Sequence, residues 1–348
     1  MGRMSAPTGG STMRAAVLHV DRSITVEDRP VPQPAPGEVL IEVGAVGVCG
    51  SDVHYYRDGR IADHVVTGDL ILGHEAGGSI VAVGAGVDPA RVGSRVAIEP
   101  QKPCRVCAAC KRGQYNLCPR IEFYATPPID GAFCQYVVIG SDFAFDVADS
   151  VSDEAAGMLE PLSVGIAAAR KARLRPGDRV LIAGAGPIGV IMAQTARAFG
   201  AGEVIVSDPM EQRRDTVQRY GATGVIDPVA DGGAFADLQV DAFIDASGAQ
   251  PAVLSGVSAV RPGGTVVLVG TGIDSMPLPI PAIQNGELNV TGIFRYTDTY
   301  PLAARWAADG TVELDSLVTA TFGLAEVEQA LSVAGAPDQL KVVVHPGR

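Results

Sequence analysis

Short apolar segments punctuated by glycine and proline run from Met13 to about Val151. Each has the length and β-branched character of a strand, and Arg29–Gly37 is a proline-rich surface connector between two of them. The segments are AAVLHV (15–20), VLIEVGAVGV (39–48), GGSIVAVGAG (77–86), RVAIEP (95–100) and FCQYVVI (133–139). This spacing is typical of a partly open barrel of antiparallel strands.

From about Asp153 the pattern changes, because helical segments now alternate with fully apolar strands such as AFIDASG (242–248) and VVLVG (266–270). This alternation predicts a doubly wound parallel sheet with helices on both faces. After Asn289 mixed segments return. We therefore predict an α/β chain in which a barrel domain, 13–155 and 292–348, is interrupted by a parallel-sheet domain, 156–291, with the active site in the cleft between them. Residues 1–12 are expected to be a disordered extension.

The stretch from Arg179 to Asp208 forms a complete strand–turn–helix–strand pattern. Its turn, Gly184-Ala185-Gly186-Pro187-Ile188-Gly189, matches the G-x-G-x-x-G sequence that brings backbone close to a dinucleotide pyrophosphate at a helix N-terminus. A helix is predicted at 190–199, and a second strand, 204–206, leads into Asp208. A carboxylate at this strand end accepts hydrogen bonds from ribose hydroxyls and repels a 2′-phosphate. The pattern predicts NAD binding.

The amino-acid composition and net charge limit the kinds of partner that the protein can bind. The 348 residues are 47% hydrophobic and 19% charged, which suits a globular protein, and the net charge of −12 disfavours nucleic acid. No apolar run reaches the length of a membrane span, and residues 1–12 lack the apolar core of a signal peptide. A cytoplasmic protein that binds neither nucleic acid nor membranes is expected, with its six cysteines used for metal rather than for disulfides.

One cysteine cluster has metal-ligand spacing. Cys104, Cys107, Cys110 and Cys118 form C-x2-C-x2-C-x7-C in a polar stretch that cannot bury four free thiols. Four thiolates complete a tetrahedral zinc shell, and such a closed site is structural. An iron–sulfur cluster is the alternative, since Pro119 follows the last cysteine. The long third gap favours zinc.

A second candidate metal set is dispersed along the chain. It comprises Cys49 in GVCGSDVHYY, His74 and Glu75 in GHEAGG, and Glu160 in LEPLSVG. One thiolate, one imidazole and one carboxylate leave a vacancy on zinc, as catalytic zinc sites do. Taken singly, each residue also has an ordinary structural explanation.

These motifs together resemble the zinc-dependent medium-chain dehydrogenases from Met13 onward, and most of all their sorbitol (polyol) dehydrogenases. The more discriminating stretches are Asp52–Tyr56, ATPP (125–128) with Asp130-Gly131, EPLSVG (160–165) and Phe294-Arg295-Tyr296. The resemblance implies a GroES-like barrel domain, a Rossmann cofactor domain and the oxidation of a sorbitol-type or xylitol-type polyol to a ketose, with hydride transfer to NAD.

The resemblance also implies roles for individual residues. Cys49, His74 and either Glu75 or Glu160 bind the catalytic zinc, but adjacent side chains on a strand point opposite ways, so His74 and Glu75 share a metal only if the glycine-flanked turn allows it. The four clustered cysteines bind the structural zinc. Further roles implied are a proton relay through Ser51 and His54, polyol contacts from Tyr55, Arg295 and Tyr296, and assembly as a homotetramer. Arg213, five residues after Asp208, is a candidate contact of the adenosine ribose, with a solvent-exposed arginine at a helix start as the alternative, and Val269 is a further candidate cofactor contact.

Three other functions are compatible with parts of the sequence. Another secondary alcohol, such as threonine or 2,3-butanediol, is compatible with the same zinc chemistry. A non-catalytic nucleotide-binding relative, or a zinc-free quinone reductase, needs no metal triad, and the joint presence of Cys49, His74 and Glu160 argues against both.

Overall fold

The computed structural model describes residues 10–271 and 275–348 and divides into two compact units. The first comprises the chain up to Glu160 together with Tyr300–Gly310 and Leu314–Arg348, and the second comprises Pro161–Thr299 with Thr311–Glu313. Most of the predicted N-terminal extension, 1–9, lies outside the described residues, whereas Thr12 already pairs with Pro30 in the first strand.

Residues 10–158 are rich in short strands. In chain order the elements are β1 (Thr12–Leu18), β2 (Ile24–Pro30), β3 (Glu38–Gly47), α1 (Gly50–Asp58), β4 (Arg60–Ile61), β5 (His64–Val65), β6 (Leu70–Ile71), β7 (Glu75–Val83), β8 (Arg95–Ile98), β9 (Gln101–Lys102), α2 (Ala108–Lys111), β10 (Glu122–Phe123), β11 (Tyr136–Gly140), β12 (Ala144–Asp146) and α3 (Asp153–Gly157).

The middle of the chain alternates helices and strands. Its elements are α4 (Leu159–Ala172), β13 (Arg179–Ala183), α5 (Pro187–Ala198), β14 (Glu203–Ser207), α6 (Glu211–Gln218), β15 (Gly224–Ile226), β16 (Val240–Asp245), α7 (Gln250–Ala259), β17 (Val260–Leu268), α8 (Ile280–Asn285) and β18 (Asn289–Gly292). The C-terminal elements are α9 (Tyr300–Asp309), β19 (Val318–Gly323), α10 (Val327–Val333) and β20 (Lys341–His345).

In the first unit, β3 is the central strand. It pairs with β7, β11 and β20, all antiparallel, in a sheet of order β12-β8-β7-β3-β20-β19 with β11 attached to β3. Leu40, Ile41, Ile80 and Ile98 are at most 1% exposed. Each buried aliphatic side chain of this size contributes roughly 1.5–3 kcal/mol through burial. The packed sheet is a rigid support for the loops at its ends.

In the second unit, the strand order is β15-β14-β13-β16-β17-β18, and every pairing is parallel. Numbered from β13, this is the 3-2-1-4-5-6 order of a doubly wound dinucleotide-binding sheet, whose ligands bind where the order reverses, at the carboxyl end of its first strand. Val180, Leu181 and Ile182 are fully buried, as their apolar run predicts. The strand predicted at 266–270 is part of the longer β17 and ends earlier, at Leu268.

The last strand returns to the first unit. β20 pairs with β3 through Val343 opposite Gly47 and Val344 opposite Val46. This pairing brings Lys341, at the start of β20, beside the end of β3 and the loop that carries Cys49. Among the helices in the described part of the chain, none has both the length and the apolar character needed to cross a bilayer.

Candidate metal and cofactor sites

Asp52 links two of the predicted metal-binding loops. Cys49 immediately precedes α1, and its backbone N–H donates to Asp52 Oδ2 at 2.9 Å. The N–H of Gly73 donates to the other oxygen, Oδ1, also at 2.9 Å. Asp52 is fully buried. One carboxylate therefore fixes the loop before α1 relative to the loop that carries His74.

His74 and Glu75 reach the same region because of the turn before them. Gly73 has φ +86°, a left-handed conformation that glycine adopts without strain, and β7 starts only at Glu75. His74 therefore lies before the strand rather than on it. Cys49, His74 and Glu75 each present one ligand atom, and these atoms lie within 4.8 Å of one another. Because His74 is not on the strand, the rule that adjacent strand residues point opposite ways does not keep His74 and Glu75 apart.

The electrostatics of His74 follow from its neighbours. The side chain is buried, its Nδ1 lies 3.7 Å from Asp52 Oδ1, and the ring packs against Phe123. Burial by itself lowers the pKa of His74, but the negative charges of Asp52 and Cys49 outweigh this and raise the pKa well above its usual value. The same negative charges also favour a metal cation, which has to displace the imidazole proton in order to bind.

Glu75 has a buried cationic partner. Its Oε2 lies 2.5 Å from Lys341 Nζ, and both side chains are at most 3% exposed. Burial lowers the pKa of Lys341, yet the charges of Glu75 and Cys49 raise it more, so the net pKa is above its ordinary value.

Glu160, the other predicted carboxylate ligand, is placed differently. It is the second residue of α4 and is buried, but it lies outside the group formed by Cys49, His74 and Glu75. Its charge still contributes to raising the pKa values of Lys341 and Glu99, so it is close to both. The structure thus brings Glu75, and not Glu160, together with the thiol and the imidazole.

The donor set fits zinc. Thiolate, imidazole and carboxylate are the ligand types that zinc binds at about 2.0–2.3 Å. Two ligands on one tetrahedral zinc are then roughly 3.3–3.8 Å apart. The 4.8 Å upper limit of this group needs only a small closing movement of the side chains to reach that geometry.

The four clustered cysteines also converge. Their sulfur atoms all lie within 4.8 Å of one another, with Cys107 Sγ 3.4 Å from Cys110 Sγ and Cys104 Sγ 4.0 Å from Cys110 Sγ. Four sulfurs on one tetrahedral zinc are roughly 3.8 Å apart. The lobe folds around Cys107, which caps the short α2.

Backbone N–H groups prepare two of these thiols for metal binding, whereas burial raises the pKa of a third, Cys110, to about 12. The Val106 amide lowers the pKa of Cys104 to about 5, and the Cys110 amide lowers that of Cys107. Thiolates, rather than thiols, are the metal ligands. Beside the cluster, Arg105 binds both oxygens of Asp142 at 2.6 and 2.7 Å and so ties the lobe to the sheet.

In the second unit the glycine-rich turn joins β13 to α5, and the helix starts at Pro187 rather than at 190 as predicted. Gly184 has φ +97°, and a Cβ on Gly189 would lie 1.8 Å from the Gly184 carbonyl oxygen. A Cβ on Gly186, by contrast, would meet nothing within 4 Å. These are the three requirements of a dinucleotide turn: a tight bend, close packing of helix on strand, and open space for the pyrophosphate. Ile188 is half-buried on the first turn of α5.

Asp208 follows β14 and supports the same turn. Its carboxylate accepts the N–H of Ala185 and that of Met210, both at 2.8 Å. Arg213 lies half-buried on α6, while the next residue, Arg214, donates to the Asp208 carbonyl at 2.7 Å. Val269, just after β17, donates its N–H to the Asp245 carbonyl at 3.0 Å.

The predicted relay and substrate residues occupy two regions of the chain. Ser51, His54 and Tyr55 lie on α1, where Ser51 is half-buried, Tyr55 is buried, and the exposed His54 has its Nδ1 3.1 Å from Asp58 Oδ2. Arg295 and Tyr296 belong to the second unit. Tyr296 is buried, and the Arg295 guanidinium lies over the Phe294 ring at 4.7 Å.

The sequence did not reveal the parts played by Asp52, Lys341 and Arg214. Asp52 was visible only as part of a motif, although an acidic residue three positions after a helix cap is a recognisable capping signal. Lys341 carried no signal, because it is 266 residues from Glu75.

Two family models match the chain. Residues 35–149 match the alcohol dehydrogenase GroES-like domain, and residues 187–309 match the zinc-binding dehydrogenase model. The predicted fold class, a GroES-like domain with a Rossmann sheet, is thereby confirmed.

Individual proteins extend the match to nearly the whole chain. Sorbitol dehydrogenase of Bacillus subtilis (strain 168) is 43% identical over 346 residues, covering 97% of this chain and 98% of that protein. D-xylulose reductase A of Aspergillus oryzae is 38% identical, covering 98% and 99%. An alcohol dehydrogenase from Escherichia coli CFT073, solved with NADH, has a TM-score of 0.89 at 28% identity and covers 97% and 100%.

Proposed function

The chain belongs to the zinc-binding dehydrogenase family, and from this premise we propose that it oxidises a polyol of the sorbitol or xylitol type to the ketose, with hydride transfer to NAD. The observation that carries the proposal is the convergence of Cys49, His74 and Glu75 within 4.8 Å. Zinc-dependent oxidation needs such a set of metal ligands, whereas a non-catalytic nucleotide-binding relative does not.

In this proposal Cys49, His74 and Glu75 hold the catalytic zinc, with Glu160 as the alternative carboxylate. Zinc bound there would lower the pKa of the substrate hydroxyl, as it lowers the pKa of bound water to about 7. Asp52 orients the two loops that carry Cys49 and His74. We assign Cys104, Cys107, Cys110 and Cys118 to a structural zinc.

Proton removal is assigned to Ser51 and His54 on α1. The exposure of His54 suits a group that exchanges protons with solvent, since its side chain is 53% exposed. Ser51→Ala tests the relay, because near-normal turnover by that variant would remove Ser51 from it.

Binding of the polyol is assigned to Tyr55, Arg295 and Tyr296. A substrate with several hydroxyls needs several hydrogen-bonding partners, which a guanidinium and two phenols provide. This assignment rests on the resemblance to the sorbitol dehydrogenases.

The cofactor is assigned to the turn from Gly184 to Gly189. Asp208 stands where the adenosine ribose is bound in sheets of this order and disfavours a 2′-phosphate through its charge. Arg213 and Val269 are further proposed contacts.

Initial-rate measurements of NADH formation test the function, with sorbitol and xylitol compared against threonine and 2,3-butanediol, first with NAD and then with NADP. Polyol turnover with NAD that a chelator abolishes and zinc restores is the expected result. Turnover of threonine or the butanediol alone would move the substrate class. The cytoplasmic location and the homotetramer stay predictions, and the mass of the protein in solution tests the second.

A further inference from the structure

Lys341, at the start of β20, is a buried cation whose partners lie just after β3 and at the start of β7. Its ammonium donates to the Val48 carbonyl at 3.3 Å and to Glu75 Oε2 at 2.5 Å, and its side chain is only 3% exposed. A lysine is almost never buried to this degree unless it is paired. The pairing of β20 with β3, and of β3 with β7, fixes the position of Lys341 relative to Glu75.

Gly47 provides the space for this ion pair. Gly47 is opposite Glu75 in the β3–β7 register, and a Cβ at position 47 would lie 2.2 Å from Glu75 Oε2. The Glu75 carboxylate therefore lies over the backbone of Gly47, where no side chain blocks its contact with Lys341. Any larger residue at position 47 would compete with the carboxylate for this space.

Lys341 also affects the other candidate ligands. The charges of Glu75, Cys49 and Glu160 all act on its ammonium. A cation so close to the ligand group competes with a metal ion for the Glu75 carboxylate and repels the metal itself. The ammonium therefore opposes the tightest possible metal binding at this site.

We propose that Lys341 is a positioning residue that restrains Glu75, so that this carboxylate remains a weak, exchangeable zinc ligand and a coordination position stays available to the alcohol. The proposal rests on the proposed function, because it assumes zinc at Cys49, His74 and Glu75. It adds a residue that sets the strength of one ligand without touching zinc or substrate.

The test uses the full-length protein and its variants Lys341→Met, Lys341→Gln and Lys341→Arg. The zinc dissociation constant of the site is measured by chelator competition, and the visible spectrum is recorded with cobalt in the same site. Met removes the charge, Gln keeps a hydrogen-bond donor without charge, and Arg keeps the cation. Because Lys341→Met leaves Glu75 buried without its partner when metal is absent, Lys341→Gln serves if the Met variant does not fold.

We expect zinc to bind the two neutral variants at least about tenfold more tightly, because the positive charge that competes for Glu75 and repels the metal is removed. The cobalt spectrum should change as Glu75 binds more strongly, and Lys341→Arg should restore both properties. In a Glu75→Gln background the substitution of Lys341 should have a much smaller effect on affinity, because only the repulsion between the ammonium and the metal remains.

Unchanged affinity and an unchanged spectrum in the neutral variants, with wild-type metal binding intact, overturn this inference and leave the proposed function standing. The same holds if Lys341→Gln has its full effect in the Glu75→Gln background. Wild-type protein that binds no metal at Cys49 and His74 overturns the proposed function as well.

Discussion

Replacing Asp52 with Asn tests how the metal loops are held. The substitution keeps the shape of the side chain but turns one carboxylate oxygen into an NH2 donor. Each oxygen accepts one backbone N–H at 2.9 Å, from Cys49 and from Gly73, inside a fully buried region. One of these N–H groups would then face another donor and lose its partner.

The magnitude follows from these two contacts. A buried hydrogen bond to a charged group is worth roughly 1.5–3 kcal/mol, and an orphaned donor costs a similar amount. We therefore expect the free energy of unfolding to fall by roughly 2–3 kcal/mol. Zinc should bind the catalytic site about 10–100-fold more weakly, because the loops that carry its ligands lose their common anchor.

The pH dependence has a defined sign. Asp52 raises the pKa of His74 in the metal-free fold. The stabilisation that the His74–Asp52 interaction gives the folded state is therefore fully present below the pKa of an unfolded histidine, about 6.5. It is lost as the pH rises through the higher pKa of His74 in the folded state. The stability lost by Asp52→Asn without metal should therefore be larger near pH 6 than at alkaline pH.

The assays are urea unfolding and chelator competition for zinc. The control is Asp58→Asn on the same helix, whose side chain is 59% exposed and pairs only with His54 among the contacts that the structure describes for it. Exposed pairs of this kind contribute about 0–1 kcal/mol. Equal zinc affinities for the Asp52 and Asp58 variants would refute the reasoning.

Three further predictions concern other parts of the chain. Burial raises the pKa of Glu99 from 4.5 to about 8. Between these pH values Glu99 ionises in the unfolded chain before it does so in the folded one, so the free energy of unfolding of wild type falls as the pH rises. The free energy of unfolding of Glu99→Gln, measured with urea, should therefore rise relative to wild type by up to about 1.4 kcal/mol per pH unit. A gain that is the same at both ends of this window would contradict that assignment. The added methyl group of Gly186→Ala meets no protein atom within 4 Å, so this variant should keep the wild-type melting temperature but bind NADH more weakly. The methyl group of Gly189→Ala would lie 1.8 Å from a carbonyl oxygen, so this variant should also have a lower melting temperature. Unchanged NADH binding by Gly186→Ala would argue against a pyrophosphate at this turn. Cys110→Ser should remove one zinc per chain in metal analysis while Cys134→Ser, outside both clusters, should remove none, and equal zinc contents would argue against a metal at the four cysteines.

The features best predicted from sequence are those whose partners are close along the chain. The turn at Gly184–Gly189 is one, because strand, glycines and helix are contiguous and the chain has little freedom to arrange them otherwise. The cysteine lobe is another, since Cys104 to Cys118 span a single loop. Element ends were less accurate, as the earlier start of α5 at Pro187 illustrates.

Features made by distant strands could not be predicted. Lys341 reaches Glu75 only because β20 is paired with β3 after a whole domain has intervened. Likewise, the sequence offered Glu75 and Glu160 as equal candidates, and only the left-handed turn at Gly73 brings Glu75 to Cys49 and His74. Such choices depend on strand register and local turns rather than on motif spacing.

The most direct test of the account compares wild type with Cys49→Ala for zinc content and for NADH formation from sorbitol and xylitol. Wild type should contain two zinc equivalents per chain, one for each ligand group. The variant should contain one, its polyol oxidation should be abolished, and its free energy of unfolding should be similar to that of wild type. A variant that retains both zinc ions, or that still oxidises the polyols at the wild-type rate, would contradict it.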